Sequence, residues 1–344
     1  MRLTERRPHP FFDRKQEIDD ISAALKSARS ELRIVYGRRG AGKSTLFEHA
    51  FDGREHFSYT CTQRVLALQV EDIRRALVDF APGALVGSIA TFNDFLGALS
   101  ALATRAKKPL VVVIDEFPYL ARAESGVLTD LQRWFNERKR SRVRNLKLFL
   151  LGSMVSWMQE QALSDTAALK SVRTGQLAVH PLEYRHAAGF YAKWSAVDRV
   201  RAFGIWGGLP GVLAEISGAR SLFANLEATT LTRGAKLYDE PDWLQYTDLR
   251  GNAIHSSIVR AVAEGARKAT DIARAVRAKS DIQPYLDKLL EAQILERRTP
   301  LLPTGERPKT SLYYVSDQFL AYWYRFVNPE RSALERGQRA RPLR

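Results

Sequence analysis

A glycine-rich segment that contains a lysine and a hydroxyl residue has the composition of a phosphate-binding loop. Residues 37–44 read Gly-Arg-Arg-Gly-Ala-Gly-Lys-Ser; an apolar run ends just before them, and an amphipathic pattern continues to Phe51. Glycines let the main chain curl with its N–H groups inward, and a helix N-terminus adds further donors. Lys43 can reach the β- and γ-phosphates, and the Ser44 hydroxyl can ligate Mg²⁺. The pattern therefore predicts a nucleoside triphosphate site.

Two adjacent carboxylates follow a second apolar run and could complete this site. Residues 110–114 are Leu-Val-Val-Val-Ile, which is typical of a central parallel strand covered on both faces, and Asp115 and Glu116 come next. Since parallel sheets hold ligands at the carboxyl ends of their strands, we expect Asp115 to hold Mg²⁺. We expect Glu116 to orient and deprotonate an attacking water. The alternative, two solvated carboxylates on a loop, is weakened by the glycine-rich segment nearby.

Strand and helix patterns alternate through residues 1–180, which we assign to one catalytic core. A capping box is predicted at Thr91 and Asp94, ahead of a helix with one apolar face. The alternation predicts an α/β fold, a P-loop NTPase parallel sheet flanked by helices. Its strands are predicted at residues 32–36, 56–61, 110–114, 146–151 and 176–179.

The rest of the chain reads as smaller modules. Residues 181–245 have helical patterns at 184–194, 197–206 and 209–216, which are broken by glycine and proline and favour a helical lid. Residues 246–318 have three helical patterns followed by a hairpin pattern, the order of a winged helix-turn-helix. We expect Ser280 or Asp281 to cap the third of these helices. Residues 319–344 form an aromatic and basic segment that we expect to begin a truncated further region.

The charge balance favours an anionic partner. The 344-residue chain has 53 Lys and Arg against 38 Asp and Glu, a net charge of +15, which makes nucleic acid the first candidate. DNA contacts are expected from the predicted third helix and hairpin, although such modules also serve purely as packing units. The residues expected to make them are Lys279, Gln283, Lys288, Arg297, Arg298, Arg307 and Lys309.

The composition also excludes several classes of protein. The single cysteine, Cys61, excludes an internal disulfide framework. No apolar run approaches the roughly 20 residues that span a bilayer, and the N-terminal residues lack the apolar core of a signal peptide. We therefore expect a cytoplasmic protein with no membrane partner.

The motifs, taken in order, resemble those of the archaeal-type P-loop ATPases of the AAA+/STAND group over nearly the whole chain. Residues 11–18 resemble the family's F-x-x-R-x-x-E-L, residues 37–44 its G-R-R-x-x-G-K-T, and residues 114–120 its acidic-strand motif. Residues 150–153 match a strand that ends in Gly-Ser, and residues 207–210 match G-G-x-P. Residues 172–177 resemble R-R-T-G-Q-L, with Val172 in place of the first arginine.

This resemblance implies roles for further residues and names the ligands ATP and Mg²⁺. Phe11, Arg14 and Pro210 are expected beside the adenine, and Ser153 is expected as a sensor near the γ-phosphate. A cap for the helix expected over residues 154–161 explains Ser153 equally well, and both roles can hold together. Arg173 is expected at a γ-phosphate, in some relatives that of a neighbouring subunit in a homo-oligomer, with a plain surface arginine as the alternative. The loop residues implied to bind nucleotide are Gly37, Arg38, Arg39, Gly40, Ala41, Gly42, Lys43, Ser44 and Thr45.

The function that follows is a Mg²⁺-dependent ATPase whose nucleotide state repositions the winged-helix module, acting on DNA. The alternative is a STAND-like switch that holds its nucleotide with little turnover and signals through assembly. A DNA-binding protein with a vestigial nucleotide site is disfavoured because Lys43, Ser44, Asp115 and Glu116 are all present.

Overall fold

The computed structural model describes residues 11–51, 53–83, 88–140, 145–239, 241, 253–299 and 311–338. The chain divides into two compact units. One comprises Arg14–His180, and the other comprises Met1–Asp13 together with Pro181–Arg344. The predicted boundary at residues 245 and 246 lies outside the described residues, as do Arg307 and Lys309 of the predicted hairpin loop.

The first unit is built on a parallel sheet, which confirms the predicted fold class. The described residues form five strands in the order β2-β3-β4-β1-β5, and every neighbouring pair is parallel. Each predicted strand is present, and no end differs from its predicted position by more than one residue. The strands are β1 (Glu31–Tyr36), β2 (Phe57–Thr60), β3 (Leu110–Asp115), β4 (Leu146–Gly152) and β5 (Gly175–Ala178).

Helices connect these strands. The capping box is confirmed, because the Thr91 hydroxyl accepts from the Asp94 N–H while the Asp94 carboxylate accepts from the Thr91 N–H. A π-helical turn, Met158–Leu163, continues the short helix Val155–Trp157. The longer helices are α1 (Lys15–Lys26), α2 (Lys43–Phe51), α3 (Leu66–Phe80), α4 (Phe92–Arg105), α5 (Phe117–Ala123) and α6 (Gly126–Arg140).

The strand order decides which loops meet. All seven residues of β4 are buried, and so are the five apolar residues of β3, because both strands lie inside the sheet under helices. β4 lies between β1 and β3, so the segments that follow these three strands emerge side by side at one edge. These segments are the glycine-rich loop, Ser153 and the acidic pair.

The second unit contains helices followed by a hairpin, β6 (Leu295–Arg298) paired antiparallel with β7 (Leu312–Val315). Three helices precede the hairpin in the predicted order, and their assignment to a winged helix-turn-helix stays a prediction. A π-helical turn, Trp323–Val327, follows the helix Gln318–Tyr322. The α-helices among the described residues of this unit are Tyr184–Ala187, Ala196–Trp206, Pro210–Leu213, Leu222–Leu226, Ala253–Ala263, Ala269–Ala275, Gln283–Glu291, Gln318–Tyr322 and Arg331–Glu335.

The expected cap is supplied by Asp281. The helix begins at Gln283, Ile282 before it already has helical φ and ψ of −91° and −8°, and the Asp281 carboxylate accepts from the Gln283 N–H at 3.0 Å. Pro284 lies in the first turn, where the missing N–H costs no helical hydrogen bond. Among the helices described here, none has the length and apolar composition that crossing a bilayer requires.

Candidate nucleotide site

The loop after β1 has a backbone that requires its glycines. Gly40 and Gly42 have φ of 79° and 86°, in the left-handed region that favours glycine. At Gly37 the constraint is space, because a Cβ there would lie 2.2 Å from the main-chain oxygen of Val179. The Ala41 N–H donates to the Arg38 oxygen at 3.0 Å and closes the turn. The loop is therefore shaped by close packing against the chain that follows β5.

Lys43 places a buried positive charge inside this loop. It is the first residue of α2, with 7% of its surface exposed, and its Nζ donates to the main-chain oxygens of Gly37 at 2.8 Å and Arg38 at 3.4 Å. An ammonium group enclosed by a curled main chain beside a helix N-terminus suits a phosphate group.

The loop and the acidic strand meet, as the sequence predicted. The Ser44 hydroxyl donates to Asp115 Oδ2 at 2.9 Å, and Asp115 Oδ1 accepts from the Glu116 N–H at 2.8 Å. A hydroxyl and a carboxylate oxygen this close together fit the oxygen ligands that Mg²⁺ prefers. The donor set therefore fits a magnesium ion beside a phosphate.

Glu116 has an unusual backbone and a close partner. Its φ is 51°, a left-handed conformation that costs a non-glycine residue about 1–3 kcal/mol and clusters at functional sites. The Ser153 Oγ lies 2.7 and 2.6 Å from the two carboxylate oxygens of Glu116, and the Ser153 N–H donates to one of them at 3.2 Å. Ser153 thus holds the predicted catalytic carboxylate.

The alternative role of Ser153 as a helix cap is wrong. The helix begins at Val155, its capping residue is Met154, and no side chain caps it. Gly152 precedes Ser153 at a crowded point, where a Cβ would lie 2.7 Å from the sulfur of Met158. This crowding keeps the end of β4 close to the helix, and the Ser153 side chain instead faces the acidic pair.

Arg14 has contacts that the sequence did not suggest. The side chain is buried, with φ at 76°. Its Nη2 donates to the oxygen of Ala41 in the loop at 3.0 Å and to the His180 oxygen at 2.7 Å, while Nη1 pairs with Glu17 at 2.8 Å. Arg14 therefore fastens the loop to the segment that ends this unit, and a role beside the adenine stays a prediction.

Arg173 does not join this site in its own unit. It precedes β5, whereas the loop follows Tyr36, which pairs with Ala178 at the other end of that strand. Five residues of extended chain span about 17 Å. The guanidinium Nη1 donates to the oxygen of Leu163 at 2.8 Å and so closes the π-helical turn. The expected contact with a γ-phosphate of the same molecule does not fit this placement, and a contact with a neighbouring subunit stays a prediction.

The remaining expected residues are placed as follows. Arg38 is buried in the loop, whereas Arg39 and Thr45 are exposed. Phe11 and Pro210 belong to the other unit, so their roles stay predictions.

Cys61 follows β2, and its N–H donates to the main-chain oxygen of Asp115 at 2.8 Å. Burial, with the nearby charges of Asp115 and Glu116, raises the pKa of the Cys61 thiol and keeps it neutral.

Comparisons with known proteins identify the family of this chain. Residues 11–216 match the family described as an ATPase domain predominantly from Archaea. An uncharacterized protein of Methanocaldococcus jannaschii is 29% identical over 336 residues, which cover 95% of this chain and 71% of that protein.

Solved structures of other proteins share the fold, and two of them show the extent of the likeness. One, the Walker-type ATPase of Pyrococcus abyssi, has a TM-score of 0.68 at 17% identity, covering 92% of this chain and 96% of that one. The other, the ORC2 protein of Aeropyrum pernix solved as ADPNP-ADP complexes, has a TM-score of 0.56 at 16% identity, covering 94% of each chain. Because the family match covers more than half of the chain, the protein belongs to the ATPase-domain family found predominantly in Archaea, and it is a nucleotide-binding ATPase.

Proposed function

We propose that the protein is a Mg²⁺-dependent ATPase whose nucleotide state repositions its C-terminal unit on DNA. The observation that carries the hydrolytic part is the meeting of Ser44, Asp115 and Glu116 at one edge of the sheet, with Ser44 and Asp115 2.9 Å apart. Ser44 comes from the helix after β1, whereas Asp115 and Glu116 come from the end of β3, so their convergence is a property of the fold rather than of a chance motif.

The chemistry is in-line attack of water on the γ-phosphate of ATP. A P–O bond forms to the water oxygen as the bond to the ADP oxygen breaks, and Glu116 accepts the proton that the water loses. Lys43 and the N–H groups of the loop neutralise the charge on the phosphates. When bound, Mg²⁺ would be held by Ser44 and Asp115 and would neutralise further phosphate charge. Ser153 sets the position of the Glu116 carboxylate.

One observation favours the second candidate, a switch with little turnover. Both oxygens of Glu116 lie within 2.7 Å of the Ser153 hydroxyl. Glu116 must give up part of this hydrogen bonding before it can accept a proton from water. A site that keeps the bond would hold ATP and hydrolyse it slowly.

The repositioning is supported by the contacts of Arg14. The chain passes between the two units at residues 13–14 and 180–181. Asp13 and Arg14 both have left-handed φ, and Arg14 binds the His180 oxygen and the loop oxygen of Ala41. Movement of the loop on nucleotide binding would therefore be transmitted by the Arg14 guanidinium to residues 13–14 and 180–181, where the chain passes between the units. Hinge residues commonly absorb such changes in φ and ψ.

The action on DNA is supported by charge and by the order of elements in the second unit. Lys288 is exposed on the predicted third helix, Lys279 is exposed on the segment before it, and Arg297 is exposed on the hairpin. Together with a net charge of +15, they suit the phosphates of a duplex.

The test measures phosphate release with Mg²⁺ or with excess EDTA, with and without a short duplex, over a range of salt. We expect turnover to require Mg²⁺ and to rise with duplex, and the rise to fade with salt because released counterions drive such binding. Lys288→Gln should weaken the stimulation and lower the salt slope by about 1. Lys193→Gln, which changes an exposed lysine of the same unit, is the matched control.

The outcomes separate the candidates. An ATP turnover rate that is the same with and without DNA would support the switch, if nucleotide also stays bound through purification and the protein assembly changes size when ATP is added. An ATP turnover rate that is the same with Mg²⁺ and with excess EDTA would overturn the assignment of Ser44 and Asp115 as Mg²⁺ ligands.

A further inference from the structure

A second concave site lies within the C-terminal unit. It has a volume of about 220 Å³ and is lined by residues of the hairpin, the helix Ala196–Trp206 and the segment that follows β7. Pockets for drug-sized ligands are typically about 300–1,000 Å³, so this site suits one ring system with its attached group. The lining side chains that argue for a ligand are Arg267, Tyr314, Tyr322, Arg325 and Phe326.

Two guanidinium groups line this concavity without a neutralising carboxylate. Arg298 is paired with Glu296, but among the described residues neither Arg267 nor Arg325 has an acidic partner. The guanidinium of Arg267 is held in place, since it lies 4.5 Å from the Tyr314 ring centroid and donates to the Tyr313 oxygen at 3.4 Å. Fixed, unneutralised arginines are the side chains best suited to phosphate groups.

Aromatic rings lie next to these charges. Phe326 is 46% exposed, its ring centroid lies 5.3 Å from that of Tyr322, and the Arg325 guanidinium lies 5.4 Å from it. One exposed phenylalanine needs no explanation by itself. Here it lines the same concavity as two guanidinium groups that have no acidic partner among the described residues. This combination suits single-stranded nucleic acid, because bases stack on rings while arginines bind the backbone.

We propose that this concavity, which we call the Arg267–Phe326 site, binds an unpaired stretch of DNA, with a base against Phe326 and phosphates at Arg267 and Arg325. The proposal rests on the DNA-related function above and gives it a second contact. In a duplex the base faces are stacked on each other and cannot reach Phe326. The site therefore distinguishes unpaired from paired DNA, whereas the lysines of the predicted third helix contact a duplex.

The experiment measures binding of fluorescein-labelled oligo-dT and of a duplex of the same length by anisotropy, with the full chain and without nucleotide. Phe326→Ala should weaken oligo-dT binding about tenfold and leave duplex binding unchanged. Phe326→Leu, which keeps the apolar volume but lacks a ring face, should give a similar loss, so misfolding cannot explain it. Arg325→Gln should lower the salt slope for oligo-dT by about 0.7.

Two matched controls lie elsewhere on the same unit. Phe223 is 54% exposed and Arg220 is exposed, and neither lines the concavity. Phe223→Ala and Arg220→Gln should leave the affinity for oligo-dT within about twofold of the wild type, the range of a surface change away from the site.

Several results would overturn the proposal: an equal loss in Phe223→Ala, no loss in Phe326→Ala, or an equal loss of duplex binding. Binding of oligo-rU tighter than oligo-dT by tenfold would assign the site to RNA and also overturn it. Failure of the proposed function is seen separately, because it is measured by duplex stimulation of ATP turnover. Oligo-dT binding that depends on Phe326 can persist without that stimulation.

Discussion

The two edges of the parallel sheet carry the same kinds of side chain. Each edge has a lysine whose Nζ donates to two main-chain oxygens, and a glutamate held by the hydroxyl of a neighbouring residue. The carboxyl edge has Lys43, Glu116 and Ser153, and the amino edge has Lys147, Glu31 and Thr174.

The two edges differ in which segment of the chain supplies the oxygens that accept from the lysine. Lys147 is fully buried and donates to the oxygens of Ser27, at 2.7 Å, and of Arg29, both in the segment after α1. It thereby joins β4 to a separate element. Lys43 donates instead to its own loop, and its neighbour Glu116 has a strained backbone. Groups of one kind thus act as a permanent crosslink at the amino edge. At the carboxyl edge they form a set whose hydrogen bonds a ligand can replace.

The lysines provide the largest expected contrast. Lys43→Met should abolish nucleotide binding, because the charge facing the phosphates is lost. Lys147→Met should leave ATP affinity near the wild-type value but lower the free energy of unfolding by about 3 kcal/mol, since two main-chain oxygens lose a buried partner. Urea unfolding and equilibrium binding of a fluorescent ATP analogue measure both. A loss of nucleotide binding in folded Lys147→Met would break the comparison.

Substitution of the two glutamates should show the same contrast, with an effect on turnover at Glu116 and an effect on stability at Glu31. Glu116→Gln should retain nucleotide binding and lower turnover by about 10²–10⁴-fold, because the amide cannot accept the proton of water. Glu31→Gln should keep turnover and lose about 2 kcal/mol of stability. Single-turnover hydrolysis and urea unfolding test this pair. Unchanged turnover in Glu116→Gln would remove Glu116 as the base.

The pH dependence of stability should also report on Glu31. Burial raises the pKa of this carboxyl group, but hydrogen bonds from Thr174, Ser27 and Arg29 and the charge of Arg33 outweigh burial, so the pKa lies below its ordinary value of 4.5. The group therefore stabilises the folded state above pH 4.5, and this contribution disappears as the pH falls through the lowered pKa. Unfolding of wild type and Glu31→Gln across this range should show a difference that narrows on acidification. A constant difference would contradict the ionic role.

The hydroxyl residues should give smaller effects. Ser153→Ala should lower turnover about tenfold with nucleotide affinity unchanged, because one hydrogen bond to a charged group is worth about 1.5–3 kcal/mol and part of it is replaced by water. Thr174→Ala should lower stability alone, by about 1 kcal/mol. Ser153→Thr is the control that keeps the hydroxyl. Equal turnover in Ser153→Ala and wild type would show that Ser153 does not position Glu116.

Arg173 should give the smallest effect on activity. Arg173→Ala should change turnover less than about twofold and cost about 1 kcal/mol of stability, since its guanidinium satisfies a carbonyl oxygen of the π-helical turn. A large loss of turnover that is recovered on mixing with Glu116→Gln protein would instead assign Arg173 to the site of a neighbouring subunit.

Local pattern predicted most of the elements but not their ends. The helix expected over residues 184–194 is a four-residue helix followed by a 3₁₀ turn, and the one expected over residues 209–216 covers Pro210–Leu213. In both places apolar spacing indicated a buried face, which a turn can bury as well as a helix. Gly207, with φ at 67°, ends the preceding helix.

The sequence alone determined the loop, the strands and the acidic pair, because each depends on residues that are adjacent in the chain. Tertiary structure decided the strand order, which sets Ser153 between the loop and Glu116 and leaves Arg173 at the opposite edge. It also decided the left-handed backbone of Glu116 and the contact of Arg14 with the loop. These features depend on packing between distant segments, and a strained conformation persists only where such packing holds it.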